Sequence, residues 1–341
     1  MPEVIPAYVR NIMDWEEHAA YLGVNSLGAL MEYLGNTILS FAPAYLAGSA
    51  LPVPYSPGLP SIWGIPESLI TTYADSVMCR PLAHAQTVAE VDAYPWPSGS
   101  AEAWDFVGMR KHLLGDATHA RLSPSWTPVF SELCELFGME LAMVNLYWNR
   151  PVLEAALARL DDFYTEFFRN LLATCGDQLD IFGLGDDFAG NRGLLIRPDL
   201  WRAMFKPLYA KWLGMAKAKG LTTLMHTCGL VRSVLPDLID CGLDAWQTVQ
   251  THLPGQAASQ IKAEFGERLA FVGAIDTTSV LGTASPEAVC QHVQRQIEVL
   301  GAGGGYICAP DHTIMAGTPS ANVAALYTTT AKFRKPGYTV L

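Results

Sequence analysis

Leu221-Thr-Thr-Leu-Met-His-Thr-Cys-Gly-Leu-Val-Arg-Ser-Val-Leu-Pro-Asp-Leu-Ile-Asp-Cys-Gly-Leu-Asp-Ala-Trp-Gln-Thr-Val-Gln250 holds a strand, a helix and the next strand in one stretch. Residues 221–226 form an apolar strand-like run, 230–241 read as a helix stopped by Gly242, and 244–250 are strand-like again. The alternation extends both ways. Upstream, 180–185 is strand-like and 198–220 helical, with a kink expected at Pro207. Downstream, 255–265 is helical and 269–275 a strand. Ser285-Pro286-Glu287 caps a helix to residue 300, 306–308 is a short strand, and Thr318-Pro319 opens the last helix by the same device. Repeated strand–helix units imply a parallel sheet. No glycine-rich nucleotide loop follows a strand, and the run Gly301 to Gly305 precedes one without the lysine of a P-loop. The expected fold is therefore α/β, a closed (β/α)8 TIM barrel rather than an open sheet.

The first half is less regular. Residues 36–41 read as a first strand and 122–129 as another. The clearest helix is 151–175, where Leu153, Leu157, Leu160, Tyr164, Phe167 and Leu171 recur at helical spacing and Gly176 ends the run. Residues 46–100 are rich in proline, glycine and aromatics, and are expected to form an ordered insertion or flap, since Trp63, Tyr73 and Trp96 need burial. The whole of 1–341 is expected to be one barrel domain, a length that barrels reach as single domains.

Half of the residues are apolar and only 16% are charged, so much of the surface must be buried or packed against a partner such as a second copy in a homodimer. A net charge of -11 disfavours nucleic acid, whose phosphates call for a basic surface. The longest apolar stretch, 38–54, is broken by Pro43 and Pro52, so no membrane span is expected. Residues 1–11 lack the basic and apolar regions of a secretory signal, which makes the cytoplasm the expected compartment. The 7 cysteines are an odd number and do not read as a disulfide framework; Cys134, Cys175, Cys241 and Cys290 read as buried hydrophobes.

Chemistry is expected at the C-terminal ends of the strands. His226 and Cys228 lie two apart, so an extended chain points both to one face, and imidazole with thiolate suits zinc. A further ligand must come from elsewhere, and Cys308 and His312 are the candidates. On strand 305–309 Tyr306 and Cys308 share a face; if it points inward, Cys308 stands level with Cys228, with His312 just beyond in the loop. Asp186 and Asp187 end another strand, and neighbours on a strand oppose one another, so one can face the barrel and transfer a proton while the other caps a turn. Asp187 is the expected inward one. Gln247, Asp276, Trp126 and Tyr306 are the expected substrate contacts. His18, His84, His112, His119, His252 and His292 read as structural or surface residues. No Gly-x-Ser-x-Gly elbow supports a serine hydrolase.

Several segments carry a resemblance. Gly185-Asp-Asp-Phe-Ala-Gly-Asn-Arg-Gly-Leu-Leu-Ile-Arg-Pro-Asp-Leu-Trp201, His226-Thr-Cys-Gly229, and Gly303-Gly-Gly-Tyr-Ile-Cys-Ala-Pro-Asp-His-Thr-Ile314 with Thr318-Pro319-Ser-Ala-Asn322 are similar to motifs of the uroporphyrinogen decarboxylase-like superfamily. Pro81-Leu-Ala and Val88-Ala-Glu-Val-Asp-Ala-Tyr-Pro-Trp96 also resemble it, and the likeness runs over roughly residues 20–335. The superfamily's fold is a (β/α)8 barrel. The resemblance implies one of two branches: cofactor-free decarboxylases of uroporphyrinogen, or zinc methyltransferases that exchange methyl groups with a corrinoid protein. In the second branch zinc is held by His-x-Cys and a distant cysteine. His226 and Cys228 match the first two positions, and the third falls on His312, with Cys308 four residues earlier.

Charge disfavours the decarboxylase branch: an octa-anionic porphyrinogen calls for arginines, and Arg10 is the only one before Arg80. The expectation is a zinc-dependent methyltransferase acting on an aromatic methyl ether, a thiol or a methylamine, with corrinoid carried by a partner protein. Its alternatives are a cofactor-free decarboxylase of a smaller polycarboxylate and a non-catalytic corrinoid- or tetrapyrrole-binding barrel. The segment 55–66 is expected to rim the mouth that the corrinoid partner covers.

Overall fold

The structure, a computed structural model, describes residues 5–46, 62–65 and 80–333. Seven parallel strands form one sheet: β1 (Ile38–Ser40), β2 (Ala120–Leu122), β3 (Ile181–Gly185), β6 (Thr222–His226), β7 (Ala245–Val249), β8 (Ala270–Ile275) and β9 (Tyr306–Pro310), in that spatial order. A two-residue antiparallel ribbon, β4 (Ala189–Gly190) with β5 (Gly193–Leu194), rises from the end of β3. Neighbouring strands are parallel, so each connection crosses over the outside, and helices cover that face.

The two outer strands of this sheet are joined by the N-terminal segment. Ala7 makes parallel bridges to Asn36, just before β1, and to Cys308 in β9. Tyr8 N–H donates to Cys308 O at 3.0 Å, Cys308 N–H to Pro6 O at 2.9 Å, and Thr37 N–H to Ala7 O at 2.9 Å. Residues 5–9 thus take the eighth place in the ring. The inside bears this out: Tyr8, Ile38, Leu122, Leu224, Ala245, Val272 and Ala309, from the segment and six strands, form one buried cluster, and Ile181 of β3 packs against it. A much larger apolar layer lies between the ring and the outer helices. The expected first strand at 36–41 is therefore second in the ring. Residues 5–9 are too short, and too close to Pro2 and Pro6, to stand out as a strand by periodicity.

Local sequence accounts for most element ends. The helix Pro286–Leu300 starts as expected, with Ser285 Oγ accepting from Ala288 N–H and proline in the first turn. The helix Arg150–Thr174 buries Leu153, Leu157, Leu160, Tyr164, Phe167 and Leu171 along one stripe. The run 198–220 divides into Pro198–Met204 and Lys206–Lys217, because Pro207 has no N–H to continue the ladder. Three expectations need correction. Only Ala120–Leu122 of the region around 122–129 is strand, since Pro124 and Pro128 cannot donate to a ladder. The helix expected over 230–241 is only Leu235–Asp240. The last helix, Ser320–Ala331, has no side-chain cap: Thr318 Oγ1 donates backward to Met315 O at 2.7 Å instead.

Most of the expected insertion at 46–100, including Tyr73, lies outside the described residues. Within the described part, Trp63 is buried and packs edge-on against Phe163 at 4.8 Å between centroids, while Trp96 is half-buried beside Tyr94. Among the described residues no helix is long and apolar enough to cross a membrane.

Gly185 at the end of β3 has a packing reason. A Cβ there would run into the carbonyl oxygen of Ser125 and stand 3.1 Å from the Trp126 ring. Gly185→Ala should therefore push the 123–126 loop away from β3 and destabilise the fold by about 1–3 kcal/mol. Urea unfolding measures this, and an unchanged midpoint would remove the packing argument.

Candidate functional site

The interior cluster fixes which residues of each strand face inward, because side chains alternate. Tyr8, Leu122, Ile181 and Leu224 are interior. Continuing in steps of two toward the C-terminal ends gives Arg10, Trp126, Asp187 and then His226 and Cys228. These side chains converge. His226, Cys228 and Asp187 each place a ligand atom within 4.8 Å of the other two. Cys228 Sγ lies 3.5 Å from His226 Nε2, and Asp187 Oδ1 lies 3.9 Å from the same nitrogen. The Trp126 ring meets the His226 ring edge-on at 5.7 Å.

The protonation of His226 follows from its neighbours. It is 2% exposed, and burial, with the Arg10 guanidinium beside it, pushes its pKa well below the usual histidine value. The imidazole is neutral. Arg10 Nη1 stands 3.1 Å from Nε2 and can only donate, so Nε2 carries the lone pair. The proton is then on Nδ1, 3.2 Å from Thr248 Oγ1, and the Thr248 hydroxyl is 3.6 Å from Cys228 Sγ. Thr248 thereby fixes the tautomer that leaves Nε2, beside Cys228 and Asp187, unprotonated. Gln247, buried and level with His226 across β6 and β7, acts on the same ring.

The Cys228 thiol is pushed up to about 12, first by burial and then by the charge of Asp187. Asp187 is itself raised, chiefly by burial, although its Oδ1 accepts the Cys228 N–H at 2.8 Å. Gly229 carries the chain away with φ +85, and a Cβ there would lie 2.8 Å from Gly190 O, so β4 presses directly on this turn. Arg10 is half-buried and its own pKa is lowered by desolvation; its Nε has no hydrogen-bond partner.

Asp186 points the other way. Its carboxylate accepts from Val129 N–H at 2.9 Å, Phe130 N–H at 2.7 Å, Ser131 N–H at 2.9 Å and the Tyr209 hydroxyl at 2.6 Å. It is fully buried and anchors the start of the helix Phe130–Phe137. That geometry leaves it no path to a substrate: of the two candidate catalytic aspartates, Asp186 is the one that caps a helix start and Asp187 the one that faces the barrel.

Tyr306 and Cys308 face outward, because Ile307 and Ala309 occupy the interior positions of β9. The Tyr306 hydroxyl donates to Gly273 O at 2.9 Å, and Cys308 Sγ accepts from Thr330 Oγ1 at 3.3 Å in the layer under the last helix. Tyr306 is therefore not placed to contact a substrate, nor Cys308 to join His226 and Cys228. His312 is exposed on the rim, outside the three-atom group, yet its charge acts on both Asp187 and His226. Asp276 caps the helical turn Thr277–Leu281, with Oδ1 accepting from Thr278 N–H at 2.8 Å and Ser279 N–H at 2.9 Å. It stands with His252 and Asp311 in a separate cluster.

Arg10 and Thr248 were missed as site residues. The signal for Arg10 was available in the alternation from Tyr8, once 5–9 is recognised as part of the ring. Thr248 follows a register shift between β7 and β8 that simple alternation cannot anticipate.

The comparisons with known proteins agree with this architecture. The family profile of uroporphyrinogen decarboxylase (URO-D) matches residues 129–333, more than half of the chain. The chain belongs to the uroporphyrinogen decarboxylase family. A solved methyltransferase from Methanosarcina mazei shares its fold, with a TM-score of 0.61 at 17% identity over 97% of this chain and 94% of that one. More distant are the GH18 chitinase ChiB of Flavobacterium johnsoniae, with a TM-score of 0.36 at 9% identity over 67% of this chain and 80% of that one, and a D-psicose 3-epimerase, with 0.36 at 11% over 72% and 84%. No curated protein matches the sequence.

Proposed function

We propose that this chain is a zinc-dependent methyltransferase of the uroporphyrinogen decarboxylase family. It moves a methyl group between a small molecule, an aromatic methyl ether by preference, and the cobalt of a corrinoid carried by a partner protein. One (β/α)8 domain spanning 1–341 carries the site, with 46–100 as an insertion beside its mouth. The observation that supports this reading is the neutral His226, whose unprotonated Nε2 lies 3.5 Å from Cys228 Sγ. A nitrogen and a sulfur donor 3.5 Å apart, with Thr248 behind the imidazole, suit a zinc ion. The Methanosarcina mazei protein of the same fold is also a methyltransferase.

His226 and Cys228 would hold the metal, with His312 as third donor from the rim. Bound zinc would supply Lewis acidity toward the heteroatom that carries the methyl group. The side chains around it have separable tasks. Trp126 offers a ring beside His226 against which an aromatic substrate can lie. Arg10 places a positive charge where negative charge gathers on the oxygen as its methyl group leaves. Asp187, raised by burial, is suited to hold the proton that this oxygen regains, or to take one from a thiol substrate. The corrinoid partner would cover the mouth. The segment 55–66 assigned to that rim lies outside the described residues apart from 62–65, so a deletion there is the way to examine it.

Metal analysis of full-length protein purified without chelator tests the reading. Stoichiometric zinc is expected in the wild type and in Asp187→Asn, with loss in His312→Ala; methyl transfer to cob(I)alamin should fall in both variants. Protein that holds no zinc and gains no activity from added zinc would overturn it. Arg10 favours one other reading, metal-free decarboxylation of a small polycarboxylate, because a half-buried guanidinium beside His226 suits a carboxylate. Release of carbon dioxide from a pyrrole acetate in a metal-free assay would identify that activity.

A further inference from the structure

The geometry points to a second metal site, separate from His226 and Cys228, in which His252, Asp276 and Asp311 take a divalent cation. His252 lies in the turn after β7, Asp276 directly follows β8, and Asp311 directly follows β9. Three successive strand ends thus each contribute one residue. Their ligand atoms all lie within 4.8 Å of one another.

The two carboxylates are held from behind. Asp276 Oδ1 accepts two backbone N–H groups, and its Oδ2 accepts the Ser279 hydroxyl. Asp311 Oδ1 accepts the Thr277 N–H at 3.0 Å and the Thr277 hydroxyl at 2.8 Å. Supporting contacts of this kind orient carboxylate ligands, and in Asp311 they leave the other oxygen for a metal. Asp311 Oδ2 is that oxygen. The residue is 1% exposed, and Oδ2 accepts no hydrogen bond of good geometry although His252 Nδ1 stands 3.1 Å away. His252 pairs with this oxygen and is raised by it, but a buried carboxylate oxygen without a well-formed hydrogen bond is costly, and a cation answers it.

Charge points the same way. Asp276 and Asp311 are both buried, and among the described residues no lysine or arginine forms an ion pair with either. A single imidazole balances at most one of the two negative charges; a divalent cation balances both. Two carboxylate oxygens with one imidazole nitrogen suit manganese(II) better than a thiolate-seeking ion. A cation here would tie together the turns after β7, β8 and β9, and the third of these leads directly into His312.

The site is tested in full-length His226→Ala/Cys228→Ser protein, where the softer pair is absent. Manganese(II) chloride is titrated in and the free ion followed by its electron paramagnetic resonance signal. Saturable uptake of one ion per chain is expected. Affinity should fall at least about tenfold when His252→Ala or Asp276→Asn is added. His252 is exposed, so its replacement leaves the fold intact, and asparagine at 276 keeps an oxygen for the cap. Absence of saturable uptake, or uptake unchanged in both variants, would show an ion pair only and overturn the assignment.

Discussion

Asp186→Ala is expected to destabilise the fold strongly rather than to act on its chemistry. The wild-type carboxylate accepts from three consecutive backbone N–H groups and from the Tyr209 hydroxyl, all in a fully buried setting. Each hydrogen bond to a charged group contributes about 1.5–3 kcal/mol, and donors left buried without a partner cost more. Since such terms do not add, a loss on the order of 4 kcal/mol is expected, a large share of the total stability of a domain. Asp186→Asn should lose less, because one oxygen remains as acceptor. Thermal unfolding with circular dichroism reads the effect. If Asp186→Ala melts with the wild type yet is inactive, the side chain belongs to the chemistry after all.

The second large effect concerns the proposed zinc. His226→Ala and Cys228→Ser should each abolish stoichiometric zinc and lower methyl transfer by at least about a thousandfold, the several kcal/mol that a Lewis acid supplies. The pH dependence of zinc uptake has a definite sign. Burial pushes the Cys228 thiol up to about 12, so the metal-free protein carries that proton at neutral pH. Zinc would take the thiolate, so uptake would expel the proton. Affinity should rise about tenfold per pH unit through the neutral range and fall with acid. His226, already neutral there, adds nothing to the slope. Calorimetry in buffers of different ionisation enthalpy counts the released protons. Uptake with none released would exclude Cys228 as a ligand.

Much of this site was legible in the sequence for one reason. Strands β3, β6, β7 and β8 are apolar runs closed by polar residues, so their ends fall within a residue or so of the expected positions. His226-x-Cys228 sits at such an end, and alternation places both on the interior face. Alternation alone could not tell which face of 305–309 is interior. That required Ala309 seen among the interior side chains, and it sends Cys308 under the last helix. The aspartate pair was legible only as a pair. Asp187 shares the face of Ile181, but Asp186 gained its role from backbone N–H groups more than fifty positions earlier, which no local pattern reveals. Arg10 was noticed as a scarce charge and used against an anionic substrate, when its place in the ring puts it against His226. His252 reads as a surface histidine and is exposed; Asp276 and Asp311 come to it because β7, β8 and β9 lie side by side, which spacing along the chain does not show.

The ring joint at Ala7 also sets a timetable. Its partners at Asn36 and Cys308 are separated by most of the chain. As synthesis proceeds, one margin of the opening segment finds its neighbour early, while the other stays bare until the final strand is made. Contacts of such sequence separation form slowly and leave an unsealed strand edge for sticking or for a chaperone to hold. The guanidinium of Arg10 rides on this segment, so the groove around His226 takes its finished form only when head and tail of the chain have met.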